Sequence, residues 1–383
     1  MIEVVIKMLF IVGVIMGLFL PLITWVERKQ SAVMQDRIGA NRADLMGITL
    51  LGLLHPAADV LKLISKEDVV PTGANRVLHL LAPVLALVPA IITLAVIPYG
   101  GTYRFGDTEL GLVVADIDWG MLYIFAVGSI ATYGAVIAGW ASNSNLGMLG
   151  SMRASAQMIS YEVTMGLSIV VLFMIYGTLR LPEMAAFQDS TFRLFGFLEH
   201  VFGVGVPGAL AWIQLPAWGI LIQPLSFVLF LTCIMAENKR PPFDAPEGES
   251  EIIAGYHTEY SGMRFGLFYT AEFLEVPVIG MIITTLFLGG WSIPWLPQDT
   301  LIGGIAPLFG EGFATALVMI LHVGSFLLKV VVMVWFQMAL RWSLPRFRYD
   351  QIMDLCWKMI LPLSIANVFV TGAVILWLQG GAA

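Results

Sequence analysis

The stretch Glu237-Asn-Lys-Arg-Pro-Pro-Phe-Asp-Ala-Pro-Glu-Gly-Glu-Ser-Glu251 lies between two segments that are apolar enough to span a bilayer. Ionisable groups beside or within membrane spans are costly, and they are functional candidates by default. The tandem prolines fix φ and remove backbone donors, so we expect a rigid, non-helical start to this stretch. It therefore predicts a structured acidic segment between two membrane helices. Its carboxylates are Glu237, Asp244, Glu247, Glu249 and Glu251.

The composition extends this prediction to the whole chain. Hydrophobic residues make up 58% of the 383 residues and charged residues 12%, against roughly a quarter charged in an average soluble domain. We expect an all-α integral membrane protein that forms a single polytopic domain over residues 1–383, because helices satisfy their own backbone groups in lipid. Eight segments have about the length that a membrane-spanning helix needs. They lie at roughly 4–26, 76–99, 118–140, 154–177, 216–236, 264–290, 313–340 and 354–378.

The loops predict an orientation and one surface helix. The segment at about 44–66 is apolar but interrupted by His55, Asp59 and Lys62, which is typical of an amphipathic helix lying at the membrane surface. If the first loop is cytoplasmic, fifteen of the twenty Lys and Arg residues lie on that side. Both termini then face outward, and residues about 237–263 form an acidic cytoplasmic loop.

The acidic residues carry the main functional hypothesis. Closely spaced carboxylates on a loop flanked by membrane repel one another and are partly desolvated, and both effects raise their pKa values towards neutrality. Groups of this kind can take up and release protons. A solvated acidic loop is the alternative reading, but Glu272 lies within the sixth predicted span, where loop solvation does not explain it. Glu162 lies within the fourth predicted span, where a structural hydrogen bond is the alternative to a proton-accepting role.

A second set of charged residues follows the ends of the spans and the surface helix. Anchoring to lipid phosphate or to an adjoining subunit explains many of these charges. Together with the surface helix, they can also frame an entrance for an amphipathic ligand that arrives from the bilayer. The set consists of Glu27, Arg28, Arg37, Asp59, Lys62, Arg341, Arg346 and Arg348.

Several classes of function have no visible residues in this chain. Two cysteines, Cys233 and Cys356, cannot build an iron–sulfur cluster or a zinc site, and the phosphate-binding and dinucleotide motifs are missing. We therefore expect no iron–sulfur cluster, flavin or metal to be bound by this chain. A formal charge of −7 argues against nucleic acid. An independent ion-coupled transporter remains an alternative, although no internal repeat supports it.

Taken together, these motifs resemble the quinone-pocket membrane subunits of respiratory complex I, the proton-pumping NADH:quinone oxidoreductase. This group includes the bacterial proteins and their mitochondrially encoded counterpart. The resemblance covers essentially the whole chain. It is carried by Glu27-Arg-Lys29, Arg37-Ile-Gly-Ala-Asn41, His55 to Lys62, Ala154 to Glu162, Ala236 to Glu251, Thr258 to Gly262, Phe265 to Glu272, Phe287 to Trp291 and Arg346 to Asp350.

The resemblance implies a role at the junction of two arms of a complex. Quinone would enter as the substrate through a channel framed by the first and sixth spans and the surface helix. The partners would be peripheral quinone-site and iron–sulfur subunits, antiporter-like membrane subunits, and membrane lipid, in the bacterial cytoplasmic (inner) membrane. The chain alone would hold no complete active site. A related membrane-bound hydrogenase, or a dehydrogenase with another electron donor, is the alternative within the resemblance.

The resemblance also implies roles for individual residues. The charged residues at the span ends would line the quinone channel or dock the peripheral arm. The carboxylates would form an acidic funnel that couples quinone reduction to proton transport. The funnel positions are Glu162, Glu237, Asp244, Glu247, Glu249, Glu251, Glu259 and Glu272.

Overall fold

The structure is a computed structural model that describes residues 2–193 and 214–380. Within these residues, seven helices are long and apolar enough to cross a membrane by length and composition. The helix Pro224–Glu237, at the place of the fifth predicted span, is apolar but only 14 residues long. The chain is therefore an all-α membrane protein, as the sequence predicts.

The first span is longer than predicted and carries two charged candidates on its helix. Helix α1 (Ile2–Val14) continues through a π-helical turn (Ile15–Phe19) into α2 (Leu20–Met34). Turns of this kind widen a helix locally and are frequent at functional sites. Because α2 ends at Met34, Glu27 and Arg28 lie on regular helix and not in a loop.

The predicted surface helix is shorter than expected. Helix α3 is regular only over His55–Ser65, and the residues before it form a single 3-10 turn at Leu50–Gly52. Pro56 lies in the first turn of α3, where a backbone N–H would have no acceptor within the helix in any case.

The remaining elements follow in chain order, with two short antiparallel strand pairs that join Thr102 to Gly111 and Thr191 to Pro216. The elements are α4 (Arg76–Thr93), β1 (Thr102–Phe105), β2 (Thr108–Gly111), α5 (Gly120–Ala141), α6 (Asn145–Tyr176), α7 (Leu181–Phe187), β3 (Thr191–Arg193), β4 (Gln214–Pro216), α8 (Gly219–Ile222), α9 (Pro224–Glu237), α10 (Glu249–Ile252), α11 (Gly262–Phe287), α12 (Gln298–Phe309), α13 (Glu311–Ser343), α14 (Tyr349–Asp354), a π-helical turn (Leu355–Ile360) and α15 (Leu361–Gly380). In the connection 179–215, residues 194–213 lie outside the described part.

Local sequence signals account for several helix ends and contacts. The Asn75 side chain accepts hydrogen bonds from the backbone of Val77 and Leu78 and so caps the start of α4. A Cβ added at Gly134 of α5 would lie 2.8 Å from the backbone nitrogen of Ala86 in α4. Only glycine therefore permits this close approach of α5 to α4, which is a common device in membrane bundles.

Helix α11 lies at the centre of the bundle. Of its most apolar 18-residue window, 83% is buried, against 6% for the first span. Helix α11 follows the acidic segment directly, and α9 precedes it. The acidic segment is therefore attached at both ends to helices that contribute to the core.

Candidate functional site

Arg240, within the acidic stretch, holds the centre of a charged site between α2 and α11. Its side chain is only 4% exposed, and it donates from Nε to Oε1 of Glu272 at 2.8 Å and from Nη1 to Oε2 of Glu27 at 3.3 Å. The guanidinium also stacks on the ring of Phe273, 4.2 Å from its centroid. Arg341 of α13 donates to the second oxygen of Glu27. Each buried charge thus has a partner, as burial of an ion requires.

The side chains that Arg240 contacts, namely Glu27, Glu272 and Phe273, line a cavity of about 370 Å³ together with Arg341. The cavity combines charged groups with an aromatic wall, which is the usual composition of a site for an amphipathic small molecule. Three sequence elements that are far apart in the chain meet there, namely α2, the segment 247–257 with α11, and the end of α13. The lining residues are Thr24, Glu27, Arg28, Ser31, Glu247, Ala254, His257, Phe265, Tyr269, Glu272, Phe273, Arg341 and Trp342.

An ion pair connects this cavity to α3. Arg28, which lines the cavity, pairs with Asp59 on α3. Leu61 and Ile64 of α3 are 67% and 60% exposed. Helix α3 therefore presents an apolar face beside the cavity while its carboxylate fastens it to the first span, which fits a helix that lies at the membrane surface.

Asp244 lies on the other side of the acidic segment. It is 4% exposed and pairs with Arg346, while the backbone N–H of Phe347 donates to the carbonyl of Pro242 at 3.0 Å. Burial raises the pKa of Asp244 to about 7; the nearby Glu247 adds to this effect and Arg346 opposes it. Asp244 can therefore change its protonation state near neutral pH.

Glu247 and Glu251 have different partners. The Nδ1 atom of His257 lies 3.2 Å from Oε1 of Glu247, and Glu251 pairs with Arg153 of α6. Burial opposes ionisation of Glu247, but the hydrogen bond and charge of His257, with Lys239 and Arg240 nearby, outweigh it and lower the pKa of Glu247. Two carboxylates of one short segment, Asp244 and Glu247, thus have pKa values that are shifted in opposite directions.

Gln157 of α6 fixes the backbone of the acidic segment. Its buried amide nitrogen donates to the carbonyls of Ala236 and Phe243, both at 2.7 Å. The prolines between these two residues have no backbone N–H, so a side chain supplies the donors. Tyr161, one turn further along α6, packs edge-on against Phe243.

The structure brings together about half of the residues predicted from the sequence. Glu27, Arg28, Glu247, Glu272 and Arg341 line the cavity, and Asp59, Asp244 and Arg346 belong to ion pairs at or near it. Glu162 on α6 and Glu237 at the end of α9 lie elsewhere, and Glu237 lines a second cavity. Glu259 is half-buried on the segment before α11, whereas Arg37, Lys62 and Arg348 are exposed. The side chain of Glu249 lies outside the described part of the structure.

Sequence reasoning missed several residues of the site, among them Arg240, His257 and Tyr269. Arg240 belongs to the acidic stretch Glu237–Glu251, and its position among carboxylates was the signal that could have identified it as a site residue. His257 and Tyr269 line the same cavity, but nothing in their local sequence distinguishes them from ordinary buried residues. In the described ranges, no group of three or more His, Cys, Asp or Glu side chains is arranged to hold a metal ion.

The fold and this site define a class: a polytopic helical membrane protein with a charged and aromatic cavity at the ends of its spans. The family model described as NADH dehydrogenase matches residues 6–372. The chain is 42% identical to an NADH-quinone oxidoreductase H subunit of Geobacter metallireducens, over 92% of this chain and 91% of that protein. It is 41% identical to an H subunit of the same enzyme in Cytophaga hutchinsonii, with the same coverage, and 39% identical to that of Flavobacterium johnsoniae over 98% and 95%. The chain therefore belongs to the NADH dehydrogenase family, among its H subunits.

Proposed function

We propose that this chain is the membrane subunit of NADH-quinone oxidoreductase, complex I, that admits quinone and couples its reduction to proton transport. The observation that carries the assignment to the complex is the near full-length match to H subunits of this enzyme. Enzymatic activity belongs to the assembled complex, because this chain alone holds no complete active site. The charged cavity between α2 and α11 supports the finer proposal of a quinone entrance.

The composition of the cavity fits a quinone, which combines a polar ring with an apolar tail. Phe265, Tyr269, Phe273 and Trp342 supply an aromatic wall, and the Arg240 network supplies hydrogen-bond donors and acceptors. Helix α3 lies beside the cavity with its apolar face exposed, so a ligand can pass from the bilayer along that face. Iron–sulfur clusters and flavin would be held by the peripheral partner subunits.

The coupling role rests on the carboxylates. Asp244 titrates near neutrality, while Glu247 and Glu272 line the cavity together with Arg28 and Arg341. A change of charge on the quinone changes the balance of these pairs and moves protons among them. Antiporter-like membrane subunits would receive this signal. The proposed coupling set is Glu162, Glu237, Asp244, Glu247, Glu249, Glu251, Glu259 and Glu272.

The proposed topology is that of the sequence prediction. Eight spans, with α9 inside the fifth, place both termini on the outer side and the acidic segment on the cytoplasmic side of the bacterial inner membrane. The cytoplasmic side would also carry α3, Arg37, Lys62, Arg346 and Arg348. The exposed members of this group suit docking of the peripheral arm better than lining of the channel.

Purification of the complex from its native membrane tests the proposal. A tagged chain should be isolated in mild detergent with flavin and iron–sulfur subunits, and the preparation should reduce quinone with NADH in an inhibitor-sensitive manner. A nickel-containing partner with hydrogenase activity would contradict the proposal, as would a chain that transports ions when it is reconstituted alone.

A further inference from the structure

A second cavity, of about 80 Å³, lies inside the bundle between α4, α5, α6, α9 and α11. Most of its wall is apolar, but Glu237, Asn238 and Glu275 also line it. Glu275 is not among the carboxylates that the resemblance carries over. Its position one turn beyond Glu272 on α11 is therefore a separate observation.

Polar atoms in this cavity have no hydrogen-bonding partner in the described part of the chain. Asn238 is 1% exposed, and both its amide oxygen and its amide nitrogen are unpartnered, as is Oε2 of Glu237. A buried polar group without a partner costs roughly 1–3 kcal/mol. A water molecule needs about 10–15 Å³ and two to four polar partners, so this cavity has both the space and the groups to hold several. An apolar cavity of the same size would be dry.

Glu272 and Glu275 face different cavities from the same helix. Glu272, the partner of Arg240, lines the charged cavity, and Glu275 lines the inner cavity with Glu237. Residues three apart on a helix are neighbours separated by about 4.5 Å along the axis. Pro277 of α11 has no backbone N–H, so the carbonyl of Phe273 lacks its i+4 helical donor and can accept a further hydrogen bond on the same stretch of helix.

We propose that Glu275 is a proton-relay carboxylate that connects the charged cavity with a water-filled inner cavity ending at Glu237. The Glu272 carboxylate first takes up a proton from the charged cavity. That proton then passes to the Glu275 carboxylate directly or through water, and it continues through the water at Asn238 to the Glu237 carboxylate. Each step breaks one O–H bond and forms another, and no oxidant or reductant takes part. This inference rests on the proposed function, because it gives the protons of that function a path into the bundle.

The presence of water is tested on the wild-type complex without any substitution. Hydroxyl radicals produced by X-ray radiolysis oxidise methionines that contact water. Met158 and Met165 line the inner cavity and are 2% and 3% exposed, whereas Met184 does not line it and is 0% exposed. Peptide mass spectrometry should show Met158 and Met165 oxidised severalfold faster than Met184. Equal rates would mean a dry cavity and would overturn the proposal.

The relay is tested by Glu275→Gln in the assembled complex. We expect proton-coupled quinone reduction to fall by about tenfold or more, with the KM for quinone unchanged, because Glu275 does not line the charged cavity. Glu275→Asp, which keeps a carboxylate, should retain most of the rate. Asn238→Leu removes the uncharged polar group of the wall and leaves both carboxylates in place, and it should lower both the rate and the oxidation of Met158.

The outcomes separate the two proposals. A wild-type complex that lacks NADH:quinone reduction contradicts the proposed function, whatever the methionine labelling shows. An active wild-type complex in which Glu275→Gln turns over and pumps normally contradicts the relay alone. If the Glu275→Gln variant does not assemble, the Asn238→Leu variant provides the test of the relay. A wild-type rate in that variant overturns the relay.

Discussion

Arg240 and Glu272 form a hydrogen-bonded ion pair, Nε to Oε1 at 2.8 Å, that joins the loop between two spans to the helix that follows it. The same guanidinium reaches Glu27 in the first span. Arg240 therefore bridges α2 and α11, and the cavity lies between these two helices.

The first prediction concerns this network. Arg240→Ala removes the cation that Glu27 and Glu272 share, and breaking a buried pair in this way costs about 3–5 kcal/mol. We expect the variant chain to be recovered in the complex at much reduced yield, or with a lower unfolding temperature. Thermal unfolding of the purified complex measures the effect. Arg104→Ala, which breaks an exposed ion pair with Glu109, is the control and should change stability little. An unchanged unfolding temperature in Arg240→Ala would show that the network does not hold the cavity together.

The second prediction concerns pH. Burial raises the pKa of Asp244 to about 7, above the ordinary value of about 3.9. The folded segment therefore favours the neutral acid, and the resulting stabilisation is complete below the ordinary pKa and lost as the pH rises through 7. Asp244→Asn should remove a pH-dependent change in activity and unfolding temperature that is centred near pH 7. Asp354→Asn, at an exposed ion pair with Lys358, should retain it. The same inflection in both variants would exclude Asp244 as its source.

The third prediction concerns the backbone of the acidic segment. Gln157→Leu keeps the approximate volume of the side chain but leaves the carbonyls of Ala236 and Phe243 without the donor that both now share. The carbonyl of Ala236 still accepts from the backbone N–H of Lys239 at 3.3 Å, so the loss falls on the carbonyl of Phe243, where it costs about 1–3 kcal/mol. We expect faster proteolysis within residues 237–251 of the assembled complex, measured by mapping the cleavage sites, and a higher KM for quinone because Arg240 is displaced. Gln35→Leu, at an exposed position, is the control. Wild-type cleavage kinetics in Gln157→Leu would contradict the anchoring role.

The fourth prediction uses a close backbone contact. A Cβ added at Gly150 of α6 would lie 2.6 Å from the Cα atom of Gly255, at the start of the turn that carries His257. Gly150→Ala should therefore displace this turn, at a cost of about 1–3 kcal/mol, and weaken the Glu247–His257 contact. Gly166→Ala is the matched control, because nothing lies within 4 Å of its added Cβ in the same helix. The two variants are compared by their quinone reductase activity per assembled complex. Equal activities in Gly150→Ala and Gly166→Ala would argue against the contact.

The sequence was sufficient for the fold class and for most helices, because long apolar runs have few alternatives in lipid. It was less accurate at the ends of the helices. Glu27 and Arg28 appeared to follow the first span, but they extend it, since their charges are satisfied by Arg240 and Asp59. The surface helix was predicted to be too long because apolar residues at 44–54 lack the regular backbone that composition alone suggests.

The site was only partly predictable. Charge density identified the acidic segment, but it could not show that Asp244 pairs with Arg346 or that Arg348, two residues further, is exposed. These distinctions depend on which elements meet in three dimensions. Glu275 illustrates the same limit, because its sequence neighbours resemble those of Glu272 while the two side chains line different cavities.

The partners of Glu27 have a consequence for how the chain is made. Arg240 is 213 residues away in sequence and Arg341 is 314 residues away, so the first span enters the membrane long before either cation has been synthesised. A carboxylate within a span is costly without a counter-charge. Glu27 therefore lacks both of its counter-charges until Arg240 has been synthesised, and it lacks the second until Arg341 has followed. Completion of the cavity is thus a late event in the biogenesis of this protein, and a chain truncated before Arg240 leaves Glu27 without either of its counter-charges.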